Sequence, residues 1–352
     1  RWEPPKSFTL PLRTCAEVGP PQVSVVVPYR NSSPCLFRAL DSLSRQTFSD
    51  FEVVMVDNRS TDGSSVIAEG FSASDARFRN FACGGSLVDA LNLGLAVSRG
   101  RWIARFDSDD ICHCDRLGMQ LALAERLGER TVVSCRVRSF PSSLVSRGYR
   151  NYENWINSLV TDREIKGEIF VESPVPHPSA FFHRASIIGE GGYLDSGMPE
   201  DYELWLRLWS RGFGFARVPR VLLGWREGRD RLSRVSPVYS LTSFYRLKAK
   251  YLASSGILPL GRAFVAGTGQ CARRLSGCLV KEGVIIEAFI SPLEEPGNRI
   301  IRGRPVIGAG RWKPVEGVPV LGASREHGAR NSIRKYLEGF GLENMKDYVL
   351  CS

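Results

Sequence analysis

The apolar positions of this chain fall into short blocks whose period changes along its length. Val23-Ser-Val-Val-Val27 is almost continuously apolar and stops at Pro28, which predicts a strand covered on both faces. Pro34 then suits the first turn of a helix, to which Leu36, Leu40 and Leu43 give one apolar stripe. Phe51-Glu-Val-Val-Met-Val56 predicts the next strand, ending on Asp57, and the polar turn Asn58–Ser64 leads into a second helix. Leu87, Leu91 and Leu95 predict a helix over 87–97 that feeds a short strand at 101–106. Asp115–Leu127 reads as a helix, Thr131–Val137 as a strand, and the Ser-, Arg- and Tyr-rich residues 139–152 as a loop. This alternation predicts an α/β fold with a parallel, doubly wound sheet.

The last third has an alternation of its own. Tyr239–Leu252 predicts a linking helix. The strand Arg262–Ala266, the turn Gly267-Thr-Gly269, a helix to about Glu282 and the strand Val284–Ile290 follow the order of a dinucleotide-binding fingerprint. The acid that would bind a ribose, about 20 residues on, would fall near Ser291. Glu294 and Glu295 come only after Pro292, which argues against NAD. Arg304–Ile307, Val318–Gly322, a helix around 326–339 and Asp347–Cys351 complete a small α/β unit. A structural, recognition or oligomerisation role is expected for it. The expected organisation is a Pro-rich arm at 1–20, a main domain at 21–238, a helical linker at 239–258 and a smaller domain at 259–352.

Composition narrows the picture. The 352 residues leave room for two domains, and 43% hydrophobic with 24% charged residues fits a globular protein. No apolar run approaches membrane-spanning length, and the N-terminus lacks a signal-peptide core. Nine cysteines without a regular framework imply free thiols, so a cytoplasmic setting is expected, or one at the inner face of a membrane. Cys112-His113-Cys114 has no accompanying CxxC, and adjacent ligands close a tetrahedral zinc site poorly. The net charge of +10 fits nucleic acid, an anionic membrane surface or anionic substrates such as nucleotide sugars. The dispersal of the arginines favours a solvated surface over a nucleic-acid stripe.

The candidate chemistry centres on Arg101–Asp110. Asp107, Asp109 and Asp110 emerge where a buried strand ends. Crowded carboxylates repel one another unless a cation is present, so the cluster is either a solvated acidic turn or a divalent-metal site for a phosphorylated ligand. In doubly wound sheets ligands bind beyond the strand carboxyl ends. Tyr29–Asn31, Asp57 and Asp107–Asp110 all fall there, which favours the metal. Asp57 is then a candidate for a ribose or base, or else the N-cap of a surface turn.

Five stretches in fixed order, VSVVVPYRNS, FEVVMVDNRSTDGS, SLVDALNLGLAVSRGRWIARFDSDD, PHPSAFFHR and GGYLDSGMPEDYELWLRL, resemble family 2 glycosyltransferases. The likeness is to bacterial members with an extra C-terminal domain, and CRVR, WIN and PEDYELW resemble queuosine-tRNA galactosyltransferase-like proteins of animals. The resemblance implies a GT-A nucleotide-diphospho-sugar transferase fold with a second, smaller Rossmann-like α/β domain. It implies inverting transfer of a hexose from a UDP-linked or other nucleotide-diphosphate sugar to an acceptor hydroxyl. By the same resemblance Asp107 and Asp109 would hold Mn²⁺ or Mg²⁺ on the donor diphosphate. Pro28, Tyr29, Arg30, Asp57, Asn92, Arg105, Asp107 and Ser108 would contact the donor, with Arg105 equally able to pair with an aspartate. Asp201 would be the catalytic base with Glu200 in support, although both residue types also favour the first turn of a helix. His177, Trp205 and Arg226 are candidates for acceptor or phosphate contacts, although a lone histidine more often has a structural role. Gly228 stands where the family's aromatic-Arg pair usually continues to a histidine, so a third metal ligand is unassigned. The expected acceptors are a glycan, a lipid-linked saccharide or queuosine-modified tRNA, and a homo-oligomer through the C-terminal domain is expected. A non-catalytic sugar-nucleotide or carbohydrate binder is the alternative from a different class.

Overall fold

The chain alternates through β1 (Val23–Tyr29), α1 (Ser33–Ser44), β2 (Phe51–Asp57), α2 (Ser64–Ser74), β3 (Phe78–Ala82), α3 (Leu87–Val97), β4 (Trp102–Arg105) and β5 (Ile111–Cys112). It continues through α4 (Arg116–Leu127), β6 (Thr131–Phe140), α5 (Arg147–Ser158), α6 (Asp162–Gly167), β7 (Phe181–His183), α7 (Arg184–Gly189), α8 (Glu200–Ser210) and β8 (Gly214–Arg226). The computed structural model describes residues 19–228, 231–292, 297–324 and 328–352, and for 232 and 233 the backbone alone. Most of the expected arm, and Glu294 and Glu295, lie outside the described residues.

These strands form one sheet in the order β3-β2-β1-β4-β7-β6-β8-β5. Every residue of β1, and all of β2 but Asp57, is buried, because helices cover both faces of the sheet. The expectation of a wholly parallel sheet is corrected. β7 runs antiparallel to β4 and β6, and β5 antiparallel to β8. A buried apolar run carries no mark of direction, so hydropathy alone cannot tell these cases apart.

Residues 139–152 are a second correction. β6 runs on to Phe140, and α5 begins at Arg147 where a loop was expected. Among the buried positions of α5 is a carboxylate, Glu153, which accepts the Ser139 N–H at 2.7 Å and pairs with Arg150 at 3.0 Å. Tyr149, Tyr152 and Ile156 form an apolar stripe at helical spacing and pack on the core with Trp155, but the Ser- and Arg-rich setting of 139–152 masks that stripe in the sequence.

The chain end carries α9 (Leu232–Val235), α10 (Leu241–Ser254), β9 (Arg262–Ala266), α11 (Gln270–Lys281), β10 (Ile285–Ser291), β11 (Ile300–Ile301), β12 (Arg304–Gly308), β13 (Val320–Gly322), α12 (Ala329–Glu338) and β14 (Tyr348–Leu350). The order of this second sheet is β11-β12-β10-β9-β13-β14, parallel except at the β11–β12 hairpin. With β9 at its centre it has the strand order of a Rossmann-like unit. Gly267, at φ +123, allows the close approach of β13, since an added Cβ would meet the Ala323 carbonyl at 2.6 Å. The two sheets share an apolar cluster that includes Trp205, Leu252, Val265 and Val349. Polar ties cross the same junction. Lys248 donates to the carbonyls of Val171 and Cys351 at 2.7 and 2.8 Å, and Glu168 pairs with Arg330 and Arg334. No helix among the described residues is long and apolar enough to cross a membrane.

One local feature opens the main sheet. β1 pairs with β4 only from Val23 to Val26, but with β2 as far as Tyr29. The Val26 carbonyl faces β4 and the Tyr29 carbonyl faces the β2 side. By strand alternation the missing N–H of Pro28 falls on the β4 side, where the ladder stops. The ends of β1 and β4 therefore part, and a crevice begins between Pro28–Asn31 and Asp107.

Candidate active site

The crevice deepens into a cavity of about 1070 Å³. Its floor is the loop after β4. Arg105, 4% exposed, forms an ion pair with Asp107, and Ser108 hydrogen-bonds Ser32 of the β1–α1 loop at 2.8 Å. That loop is itself tied to the next one. Asn31, in a left-handed conformation at φ 49, donates its N–H to Ser60 at 3.1 Å, and its Oδ1 accepts the Thr61 N–H at 2.8 Å. Ser33 N–H reaches Asp62 at 2.9 Å.

The three aspartates place one carboxylate oxygen each within 4.8 Å of the others. Burial, and then the charge of Asp107, push Asp109 up to about 6. Asp110 is fully buried, and its pKa lies well above the ordinary carboxylate range for the same reasons. One of its oxygens accepts the Arg226 N–H at 2.7 Å; among the described residues the other has no partner. An oxygen-only donor set whose burial and crowding raise two of its carboxyls suits a hard divalent cation such as Mg²⁺ or Mn²⁺. His113, Cys114 and Asp115 also lie within 4.8 Å of one another. There the ring Nδ1 of His113 accepts the Asp115 N–H at 3.2 Å, and Asp115 pairs with Arg220 at 3.1 Å, so both groups are engaged within the chain.

The start of α8 faces this floor. Glu200, 5% exposed, accepts the Tyr239 hydroxyl on Oε2 at 2.6 Å, and its Oε1 stands 3.7 Å from His177 Nδ1. Burial raises the Glu200 carboxyl. Asp201 Oδ1 accepts the Tyr202 N–H at 2.7 Å. Burial, then the neighbouring charge of Glu200, push Asp201 up to about 7. The ring of His177 is held neutral by burial and by the Arg105 charge, and its Nε2 meets the Tyr193 hydroxyl at 2.8 Å.

Tyr149, Tyr152 and Trp225 close the cavity on another side. The Tyr149 and Trp225 ring centroids are 5.3 Å apart. Arg231 lies 4.7 Å from the centre of the Trp225 ring and donates to the Tyr149 hydroxyl at 2.7 Å. Glu227, 2% exposed, pairs with Arg234 at 2.9 Å and with Arg231 at 3.6 Å, and both arginines line the cavity.

The structure thus brings together Pro28, Tyr29, Arg30, Arg105, Asp107, Ser108, Asp109, His177, Glu200 and Asp201. Four other expected contacts fall elsewhere. Asp57 does not line the cavity; it caps its own turn, accepting the Ser60 N–H at 2.9 Å. Asn92 is spent on the Tyr193 backbone, bonded to its N–H at 2.9 Å and its carbonyl at 2.8 Å. Trp205 is fully buried in the core, because the apolar stripe of α8 faces inward. Arg226 lies behind the aspartates, donating from Nε to the Asp109 carbonyl at 2.6 Å. Tyr239, Tyr149 and Lys248 line the cavity without having been singled out in the sequence, because they come from segments read as loop or linker.

Residues 24–192 match the sequence model of the family Glycosyl transferase family 2. This segment is a family 2 glycosyltransferase domain. An uncharacterised glycosyltransferase of Haemophilus influenzae is 30% identical over 175 residues, covering 49% of this chain and 62% of that protein. The chain thus spans less than two thirds of that relative's length. The amylovoran biosynthesis glycosyltransferase AmsE of Erwinia amylovora is 28% identical over 224 residues, covering 60% of this chain and 79% of its own. Among solved structures, S. aureus TarS 1-349 in complex with UDP-GlcNAc superposes with a TM-score of 0.50 at 17% identity, over 73% of this chain and 71% of that one. The family 2 glycosyltransferase domain is therefore seen here in a GT-A-like α/β fold, joined to a second, smaller sheet.

Proposed function

We propose that this protein is an inverting, metal-dependent glycosyltransferase that moves a hexose from a UDP-linked donor to an acceptor hydroxyl in glycan synthesis. The observation that carries the reading is the meeting of Asp107 and Asp109 with Glu200 and Asp201 in one cavity. The UDP-GlcNAc complex of TarS supports the choice of nucleotide, and the part of AmsE in amylovoran biosynthesis supports a glycan acceptor.

In this reading the nucleoside lies along Pro28–Arg30 and Asn58, and the diphosphate lies over the aspartate loop. When bound, a divalent cation at Asp107 and Asp109 supplies charge neutralisation to the departing diphosphate. Arg231 and Arg234 add fixed positive charge near Gly228, where the family's histidine is absent. Asp201 takes the proton of the acceptor hydroxyl as that oxygen attacks the anomeric carbon. The bond from this carbon to the diphosphate breaks on the opposite face, so the configuration inverts and the nucleoside diphosphate leaves. A carboxyl near 7 suits a base at neutral pH.

A thermal-shift screen of UDP, GDP and dTDP with Mn²⁺ tests the donor assignment, because a bound ligand stabilises the fold by mass action. UDP should raise Tm only with the metal present. No shift with any of the three would contradict the reading.

A further inference from the structure

A second, shallow cavity of about 250 Å³ lies between α10, α11 and the β11–β12 hairpin. Arg246, Arg274, Lys281 and Arg302 line it, and among the described residues no carboxylate does. Among the described residues none of these four cations has an ion pair or hydrogen bond. Elsewhere the arginines of this protein are often paired, as Arg79 and Arg99 are with Glu52. Arg302 adopts φ 48 and Gly303 φ 74, a hairpin turn with two left-handed residues that favours Asn-Gly. An arginine is strained there. Its guanidinium lies flat on α11 at Gly277, where an added Cβ would come within 2.9 Å of Cζ. Burial raises the Cys278 thiol; the charges of Arg246, Lys281 and Arg302 converge on it and oppose that rise, against a smaller contribution from Glu282.

Like charges gathered in excess repel one another, and a multivalent oxyanion relieves that repulsion while accepting several N–H bonds at once. Tyr245 lines both this groove and the catalytic cavity, so α10 is their shared wall. We propose that the groove binds a phosphate or diphosphate group of the acceptor, at a point outside the reacting sugar. The assignment to the acceptor rests on the glycosyltransferase reading; the anion site stands on its own charge geometry.

Alkylation of Cys278 by iodoacetamide in the full chain, followed by peptide mass spectrometry, reads the groove locally. Inorganic pyrophosphate at about ten times its Kd should slow modification of Cys278 about tenfold, as expected for a site left free in only a small fraction of molecules. Cys83, outside the groove, should react as before. The double variant Arg246→Glu/Arg302→Glu should lose the protection and keep UDP binding. Both residues are exposed, and Arg274→Ala/Lys281→Ala is a second variant that should act in the same direction. Cosedimentation with phosphatidylglycerol vesicles, lost in these variants, would assign the phosphate to a lipid headgroup. Pyrophosphate protection without vesicle binding would assign it to a soluble ligand, and either result keeps the site. An unchanged Cys278 rate in pyrophosphate, or protection that survives both variants, overturns it. Protection without any sugar transfer would instead remove the glycosyltransferase reading and leave the anion site.

Discussion

Tyr239 donates its hydroxyl to Glu200 at 2.6 Å, so one oxygen of this carboxylate is already engaged within the protein. Its other oxygen stands beside His177. Asp201 uses one oxygen on the Tyr202 N–H, and among the described residues its second oxygen has no partner. The division of labour follows: Glu200 is a positioning residue whose charge tunes Asp201, and Asp201 meets the acceptor. Asp201→Asn should lower kcat by about 10²–10⁴-fold, the usual loss for a missing general base, with UDP affinity retained. Steady-state kinetics beside UDP titration separates the two effects. An equal loss of UDP binding would make Asp201 a donor ligand instead.

The pH profile carries the same signature. Asp201 is raised to about 7 by burial and then by Glu200, so its ionised fraction grows through neutrality. kcat/KM should rise with pH about tenfold per unit below 7 and level above it. For stability the sign is opposite. The folded state holds a proton that the unfolded carboxyl has already lost, so between about pH 4 and 7 this group's contribution falls as pH rises. Asp201→Asn should flatten that fall in a denaturation series. A profile unchanged by the substitution would show that another group governs it.

Trp205 is expected to act on stability alone. It is fully buried, and Trp205→Ala should cost about 3–5 kcal/mol in denaturant unfolding, with donor KM of the folded fraction unchanged. A large change in KM at small loss of stability would restore it as a ligand contact.

Arg226 shapes the metal loop from behind. Removing its bond to the Asp109 carbonyl by Arg226→Ala should weaken Mn²⁺ binding about 10–100-fold, as other substitutions beyond the direct ligands do. Calorimetry with UDP present measures this, and an unchanged Mn²⁺ affinity would remove Arg226 from that role.

The parts legible in the sequence are those whose burial leaves a local pattern. β1, β2 and α3 occupy the spans that their apolar periods mark, and the aspartates of the β4 loop and the start of α8 stand out by residue type. What stayed hidden depends on distant partners. Asn92 meets Tyr193 101 residues away, and nothing near Asn92 announces that clamp. α5 hides because its stripe of Tyr149, Tyr152 and Ile156 is set among Ser and Arg residues that read as a loop. Tyr239 and Lys248 come from a stretch read as a linker, and only the packing of α10 against α8 brings them to the cavity. The antiparallel turn of β7 was equally invisible, since its three buried residues would look the same in either direction.

The central claim is tested most directly by nucleotide release. With UDP-sugars and Mn²⁺, wild-type protein should release UDP, through transfer or slow hydrolysis of the donor. Asp109→Ala and Asp201→Asn, each folded by circular dichroism, should each abolish that release. Full release by the double variant Asp109→Ala/Asp201→Asn, or none by the wild type with any sugar nucleotide that it binds, would contradict the account.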